Sequence, residues 1–150
     1  MSGRGINGYL NYYDNKIYFR SSLEMLVYIY LCENNVRFEL SKHRIEYDNG
    51  NKTYNPDIVI DNTIIEIKPK FLLNCKTVVD KLEALKNYCN IFNLKFKIIT
   101  EDSYEIWKYF NKDFIELLIK ENKLILSDKQ KERLYNYNWK FNYGHTKNKN

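Results

Sequence analysis

Histidine, cysteine, proline and glycine are all scarce in this 150-residue chain, and each scarcity excludes something. His43 and His145 are the only histidines, and Cys32, Cys75 and Cys89 are widely spaced with no C-x-x-C pair. No pattern for a structural zinc site or a disulfide framework results, and no spacing favours a Cys–His nucleophile. The cysteines are expected to be ordinary small apolar residues. Two prolines and five glycines leave no composition for a long linker, and no internal repeat is visible, so a single domain is expected. No apolar run approaches the roughly 20 residues that span a bilayer. The opening "MSGRGINGYLNYYDNK" has no signal-peptide core, so a cytoplasmic protein without a membrane partner is expected.

What is present is a well-stocked core and a positive balance. Hydrophobic residues make up 44% and aromatics 16%, which argues against disorder, and the net charge is +5. That surplus favours polyanionic partners, although Lys, Asn, Ile and Tyr are abundant together, as in AT-rich coding. Tyrosines and cations alternate in "GYLNYYDNKIYFR" and "RLYNYNWKF". Such interleaving suits stacking and phosphate contacts with nucleic acid, and equally suits core packing.

Periodicity predicts the order helix, strands, helix, strand, helices, an α/β pattern with a mixed sheet. Residues 1–17 read as a flexible basic start, leading into a short extended segment in the tyrosine-rich run before residue 20. Leu23, Leu26, Val27, Tyr30 and Leu31 recur at helical spacing up to Asn34 and Asn35. "VRFEL", "HRIEY", "PDIVI", "TIIEIK" and "KFKIIT" read as strands, with "DNGN" as a turn and Pro69 closing "TIIEIK". Between the last two strands, residues 75–92 read as a helix with Val78, Val79, Leu82, Leu85, Cys89 and Phe92 on one side. Asp102 with Glu105, and Ser127 with Gln130, have capping-box spacing. Residues 111–142 are expected to form a helical C-terminal extension, and 143–150 a disordered tail.

The chemistry lies in "NPDIVIDNTIIEIKPK". If Asp61 and Asn62 form a two-residue hairpin turn, Ile60 faces Thr63, Val59 faces Ile64 and Ile58 faces Ile65. Asp57 then faces Glu66, and alternation puts Lys68 on the face of Glu66. Directly opposed acids repel, so a cation must lie between them or one must hold a proton. Lys68 and a divalent metal are both candidates, and an oxygen-only ligand set suits Mg²⁺.

A further acid, Glu24, stands in "FRSSLEMLVYIYL". Locally it reads as the N3 member of a capping box whose N-cap is Ser21.

Together, Glu24, Pro56-Asp57 and Glu66-Ile67-Lys68 resemble the PD-(D/E)XK nuclease superfamily. The words "FRSSLE", "YNPDIVI", "IIEIKPK" and "KFKIITED" look like the nuclease domain of TnsA-type transposition endonucleases and of tailed-phage head-completion nucleases. The resemblance covers roughly residues 18–110, and more weakly "LIKENKLILSDKQKERL". Some TnsA-like members carry Gln where this chain has Glu66, so the acid matches the wider superfamily better.

The resemblance implies a restriction-endonuclease-like core over 18–110, with a mixed central β-sheet flanked by helices. It implies that Glu24, Asp57, Glu66 and the carbonyl of Ile67 hold Mg²⁺ or Mn²⁺, while Lys68 orients the attacking water. The implied activity is metal-dependent DNA endonuclease cleavage leaving 5′-phosphate and 3′-hydroxyl ends. Alternatives are processing of phage DNA ends or branched DNA, and a non-catalytic DNA-binding virion component. Arg20 and Lys70 flank these motifs as candidates for DNA phosphate, and equally as solvated charges. With no separate recognition domain, a second copy, a partner protein or DNA shape would choose the target.

Overall fold

The computed structural model describes residues 5–136, and the expected tail at 143–150 lies outside them. The fold is mixed α/β, as its sequence pattern predicts, but its backbone divides into two units. One is built from the two ends of the chain, up to Asn35 and from Ser103 onward, and the other is the continuous stretch Val36–Asp102.

The unit of the chain ends begins with a hairpin where a flexible start was expected over 1–17. Strands β1 (Gly8–Tyr12) and β2 (Asn15–Phe19) pair antiparallel, with Tyr12 opposite Asn15. The turn residues Tyr13 and Asp14 take φ of 55° and 59°, the left-handed pair that a two-residue hairpin turn needs. Leu10, Ile17 and Phe19 are buried, and that inward row is what orders the segment. Helix α1 (Ser22–Glu33) follows, its first turn closed by the Ser21 hydroxyl, which accepts from the Glu24 N–H at 3.1 Å. Nearly every α1 residue from Ser22 to Cys32 is buried, so this helix is apolar all round rather than striped.

The chain returns to this unit with α3 (Tyr104–Trp107), α4 (Lys112–Lys120), the short strand β9 (Leu124–Ile125) and α5 (Asp128–Tyr135). The expected helical extension therefore contains a strand, and β9 adds to β1 to give the order β2-β1-β9. Ser127 caps α5 as its spacing predicts, accepting from the Gln130 N–H at 3.2 Å. Asp102 and Glu105 do not form the predicted capping box. Ser103 occupies the N-cap of α3 without a side-chain cap bond, and the Asp102 carboxylate is engaged by Lys70 at 2.9 Å.

The continuous unit holds the four-stranded sheet β3-β6-β7-β8, from β3 (Glu39–Leu40), β6 (Ile58–Ile60), β7 (Thr63–Ile67) and β8 (Lys95–Ile99). It is mixed: β3, β6 and β7 pair antiparallel, whereas β7 and β8 are parallel. Beside it is a separate pair, β4 (Ile45–Tyr47) and β5 (Lys52–Tyr54), joined through Asp48, Asn49 and Gly50, all at positive φ. β5 has no counterpart in the sequence reading, because "KTY" is too short to show alternation. Helix α2 (Lys76–Phe92) links the parallel strands and ends on Asn93 at φ 55°, an Asn C-cap. Ile64 of β7, Leu85 and Cys89 of α2, and Ile45 of β4 form one core cluster of this unit, with Tyr54, Val59 and Leu82 packed against it. The expected apolar side of α2 is thus only partly used: Val79 and Phe92 are 41% and 59% exposed.

Candidate functional site

The β6–β7 hairpin has the register predicted from its two-residue turn. Ile60 faces Thr63, Val59 faces Ile64, and Ile58 faces Ile65. Asp61 takes φ 53°, a conformation that Asp tolerates better than most residues. One step beyond the last ladder pair come Asp57 and Glu66, and there side chains replace the ladder. The Asp57 N–H donates to Glu66 Oε1 at 2.9 Å, and the Ile67 N–H donates to Asp57 Oδ2 at 2.7 Å. Each acid is thereby fixed by a backbone amide on or beside the other strand. On its outer side Asp57 is held by β3's extension, its carbonyl accepting from the Ser41 N–H at 3.1 Å.

Pro56 gives the motif its physical sense. Continuing the register places Pro56 opposite Ile67, and proline has no N–H to donate. The N–H and C=O of one strand residue point to the same side, so the Ile67 carbonyl faces a position with no ladder donor. An acceptor therefore stands beside the two carboxylates.

Electrostatics marks the pair as unstable alone. Glu66 is 2% exposed. Burial first, then the charge of Asp57, pushes its carboxyl from 4.5 up to about 7, against opposing pulls from Lys68, the Asp57 N–H and Lys81. Among the described residues Glu66 Oε2 accepts no hydrogen bond. Lys68 follows two residues after Glu66 on the same face, its N–H donating to the Ile99 carbonyl at 3.0 Å. Its ammonium forms no ion pair among the described residues. Two facing carboxylates, one with an unbonded buried oxygen, and a donor-less carbonyl make a set of hard oxygens that fits Mg²⁺ or Mn²⁺.

The other predicted residues have different surroundings. Glu24 lies in the unit of the chain ends and is buried, with Oε1 accepting from the N–H of Arg20, the residue before the N-cap Ser21, at 3.1 Å. Arg20 is exposed and lies 3.8 Å from Glu24 Oε2. Lys70 is exposed and paired with Asp102, and its N–H donates to Glu101 at 2.7 Å. Among the described residues no group of three or more His, Cys, Asp or Glu side chains is gathered to hold a metal. The carboxylates brought together across the hairpin are a pair.

Tyr54 and Lys81 had no place in the sequence reading and stand beside that pair. Burial, then the charges of Glu66 and Asp57, raise the Tyr54 phenol well above its ordinary range, which keeps it a donor. It donates to the Lys81 carbonyl at 3.0 Å. The available signal was the placement of Lys81 one helical turn before the core residue Leu85. No protein-family model matches the chain, and comparison with curated proteins finds no match. Among the described residues no helix is long and apolar enough to cross a membrane.

Proposed function

We propose that the chain is a metal-dependent DNA endonuclease of the PD-(D/E)XK type. The observation that carries this reading is the Asp57–Glu66 pair, locked across the end of one hairpin with Lys68 on the same face. Asp57, Glu66 and the Ile67 carbonyl would hold Mg²⁺ or Mn²⁺. Bound there, the ion supplies positive charge to the phosphoryl oxygens and acidifies a water. Lys68, whose ammonium forms no ion pair among the described residues, neutralises charge growing on the phosphoryl group and orients the incoming water. The water oxygen bonds to phosphorus, the bond to the 3′ oxygen breaks, and that oxygen takes a proton. A 5′-phosphate and a 3′-hydroxyl remain.

The test is incubation of purified protein with supercoiled, linear and four-way-junction DNA in Mg²⁺ or Mn²⁺. Cutting is expected with either metal and none with EDTA. Asp57→Asn and Lys68→Ala should lose cleavage while keeping the wild-type circular dichroism. A wild-type protein inert on every DNA form with both metals overturns the proposal. Preference for the junction would direct the reading to branched DNA.

A further inference from the structure

We propose that Lys81 is a phosphate-binding cation of the Asp57–Glu66 site, held ready by the rings of Tyr47 and Tyr54. This rests on the nuclease reading for what the phosphate belongs to, and on geometry for the rest. Because α2 joins two parallel strands, it runs opposite to β7. Ile64 and Leu85 belong to one buried cluster with Ile45 and Cys89, and that cluster gives a common origin. Glu66 is two residues further along β7 on the same face, about 6.7 Å at a strand's rise. Lys81 is four residues earlier on α2, about 6 Å at a helix's rise. The two steps point the same way and nearly match, so Lys81 stands over the Glu66 end of the strand. Tyr54, whose hydroxyl donates to the Lys81 carbonyl at 3.0 Å, packs against that same cluster.

Lys81 nevertheless forms no ion pair among the described residues. Its ammonium lies 5.6 Å from the centroid of the Tyr47 ring and 5.3 Å from that of Tyr54. Those rings are themselves an edge-on pair 5.8 Å apart on the β4–β5 hairpin. A lysine free in solvent loses much rotamer entropy when it grips a ligand. Here the aromatic faces restrict the stem while the N–H groups of the ammonium donate no hydrogen bond among the described residues. The result is a restrained, un-neutralised cation beside two acids, and the group it complements is a backbone phosphate of the DNA strand.

A purely structural role, a clip tying α2 to β4–β5, makes a different prediction. Binding of a fluorescent 20-base-pair duplex is measured by anisotropy in Ca²⁺ from about 50 to 200 mM salt, with cleavage kinetics measured separately in Mg²⁺. One lost phosphate contact lowers the slope of log K against log salt by about 0.9, so affinity falls about 3.5-fold less over that range. Lys81→Gln is expected to show this change and to raise KM more than it lowers kcat. Lys81→Arg should restore the slope. Lys81→Met keeps the stem against the rings and serves if the Gln variant misfolds by circular dichroism. A charge-removing variant that melts earlier but keeps the wild-type slope and KM makes Lys81 a clip and overturns the proposal, as does a wild type that binds no DNA. A Lys81-dependent slope in a wild type that never cleaves leaves the phosphate site standing and removes the nuclease reading.

Discussion

Replacing Glu66 with glutamine removes one charge and almost nothing else. The amide keeps an oxygen to accept from the Asp57 N–H, so the 2.9 Å bond that fixes the hairpin end survives. What is lost is a buried carboxylate facing another acid. The rise from 4.5 to about 7 corresponds to about 3 kcal/mol of extra proton affinity in the folded chain. Because the folded value is raised, the native state binds the proton more tightly than the unfolded chain does. Stability from this group is therefore retained below about pH 4.5 and lost as pH climbs through about 7. In metal-free buffer Glu66→Gln should accordingly stabilise the protein by about 3 kcal/mol at pH 8, and by under about 1 kcal/mol at pH 5. For a chain of this length that is roughly 6–12 °C in Tm at the higher pH. Differential scanning calorimetry with EDTA across pH 5–8 measures it. Added Mn²⁺ at pH 8 should recover most of the difference in the wild type and leave the glutamine variant nearly unmoved. A variant that is equally destabilised at both pH values would refute the reasoning, because the carboxylates would then not be in electrostatic conflict.

Glu24 separates into two roles by substitution. Ser21→Ala removes the cap of α1, is expected to cost about 1 kcal/mol, and should leave cleavage intact. Glu24→Gln keeps an acceptor for the Arg20 N–H, so its Tm should barely move, and because Glu24 is not one of the paired carboxylates cleavage should persist; lost cleavage would return Glu24 to the metal ligands that the resemblance implies. Gly8 tests the packing of β1 against the C-terminal part of the chain. A Cβ there would meet Leu126 Cδ2 at 2.6 Å and the Ile125 carbonyl at 2.7 Å, the second a backbone atom with little room to move. Gly8→Ala should cost about 1–3 kcal/mol in urea denaturation, and a neutral result would mean β9 yields.

The hairpin was legible because everything that fixes it is local. A two-residue turn, strict alternation and a proline are all contained in residues 56–68, and the register they dictate is the one found. α1, α2, β7 and β8 were legible for the same reason, as long periodic runs with recognisable ends. The opening hairpin was missed because its turn is Tyr13-Asp14, and tyrosine at positive φ is not a turn signal. β9 was missed because two residues cannot show a period; it exists through its pairing with β1, more than a hundred positions away. The division into two units was missed because the chain enters and leaves Val36–Asp102 without any glycine- or proline-rich boundary.

The same distinction explains why the acids were found and their neighbours were not. Asp57 and Glu66 are nine residues apart, and a strand's alternation is enough to bring them face to face. Lys81 and Tyr54 reach the pair only through tertiary packing, one on a helix laid over the sheet and the other on a separate hairpin. Helical spacing puts Lys81 on the side of Leu85, but nothing in the sequence connects that side, or Tyr54, to Glu66. Their arrangement becomes visible only when Ile64 and Leu85 are known to share one buried cluster, because that cluster sets the register between helix and strand. A site whose charged pair is written locally but whose surrounding cation depends on core packing should respond to core damage in a particular order. Loosening the Ile45–Ile64–Leu85–Cys89 cluster would disturb Lys81 and its aromatic cradle first, while the Asp57–Glu66 amide bonds, closed within one hairpin, would persist.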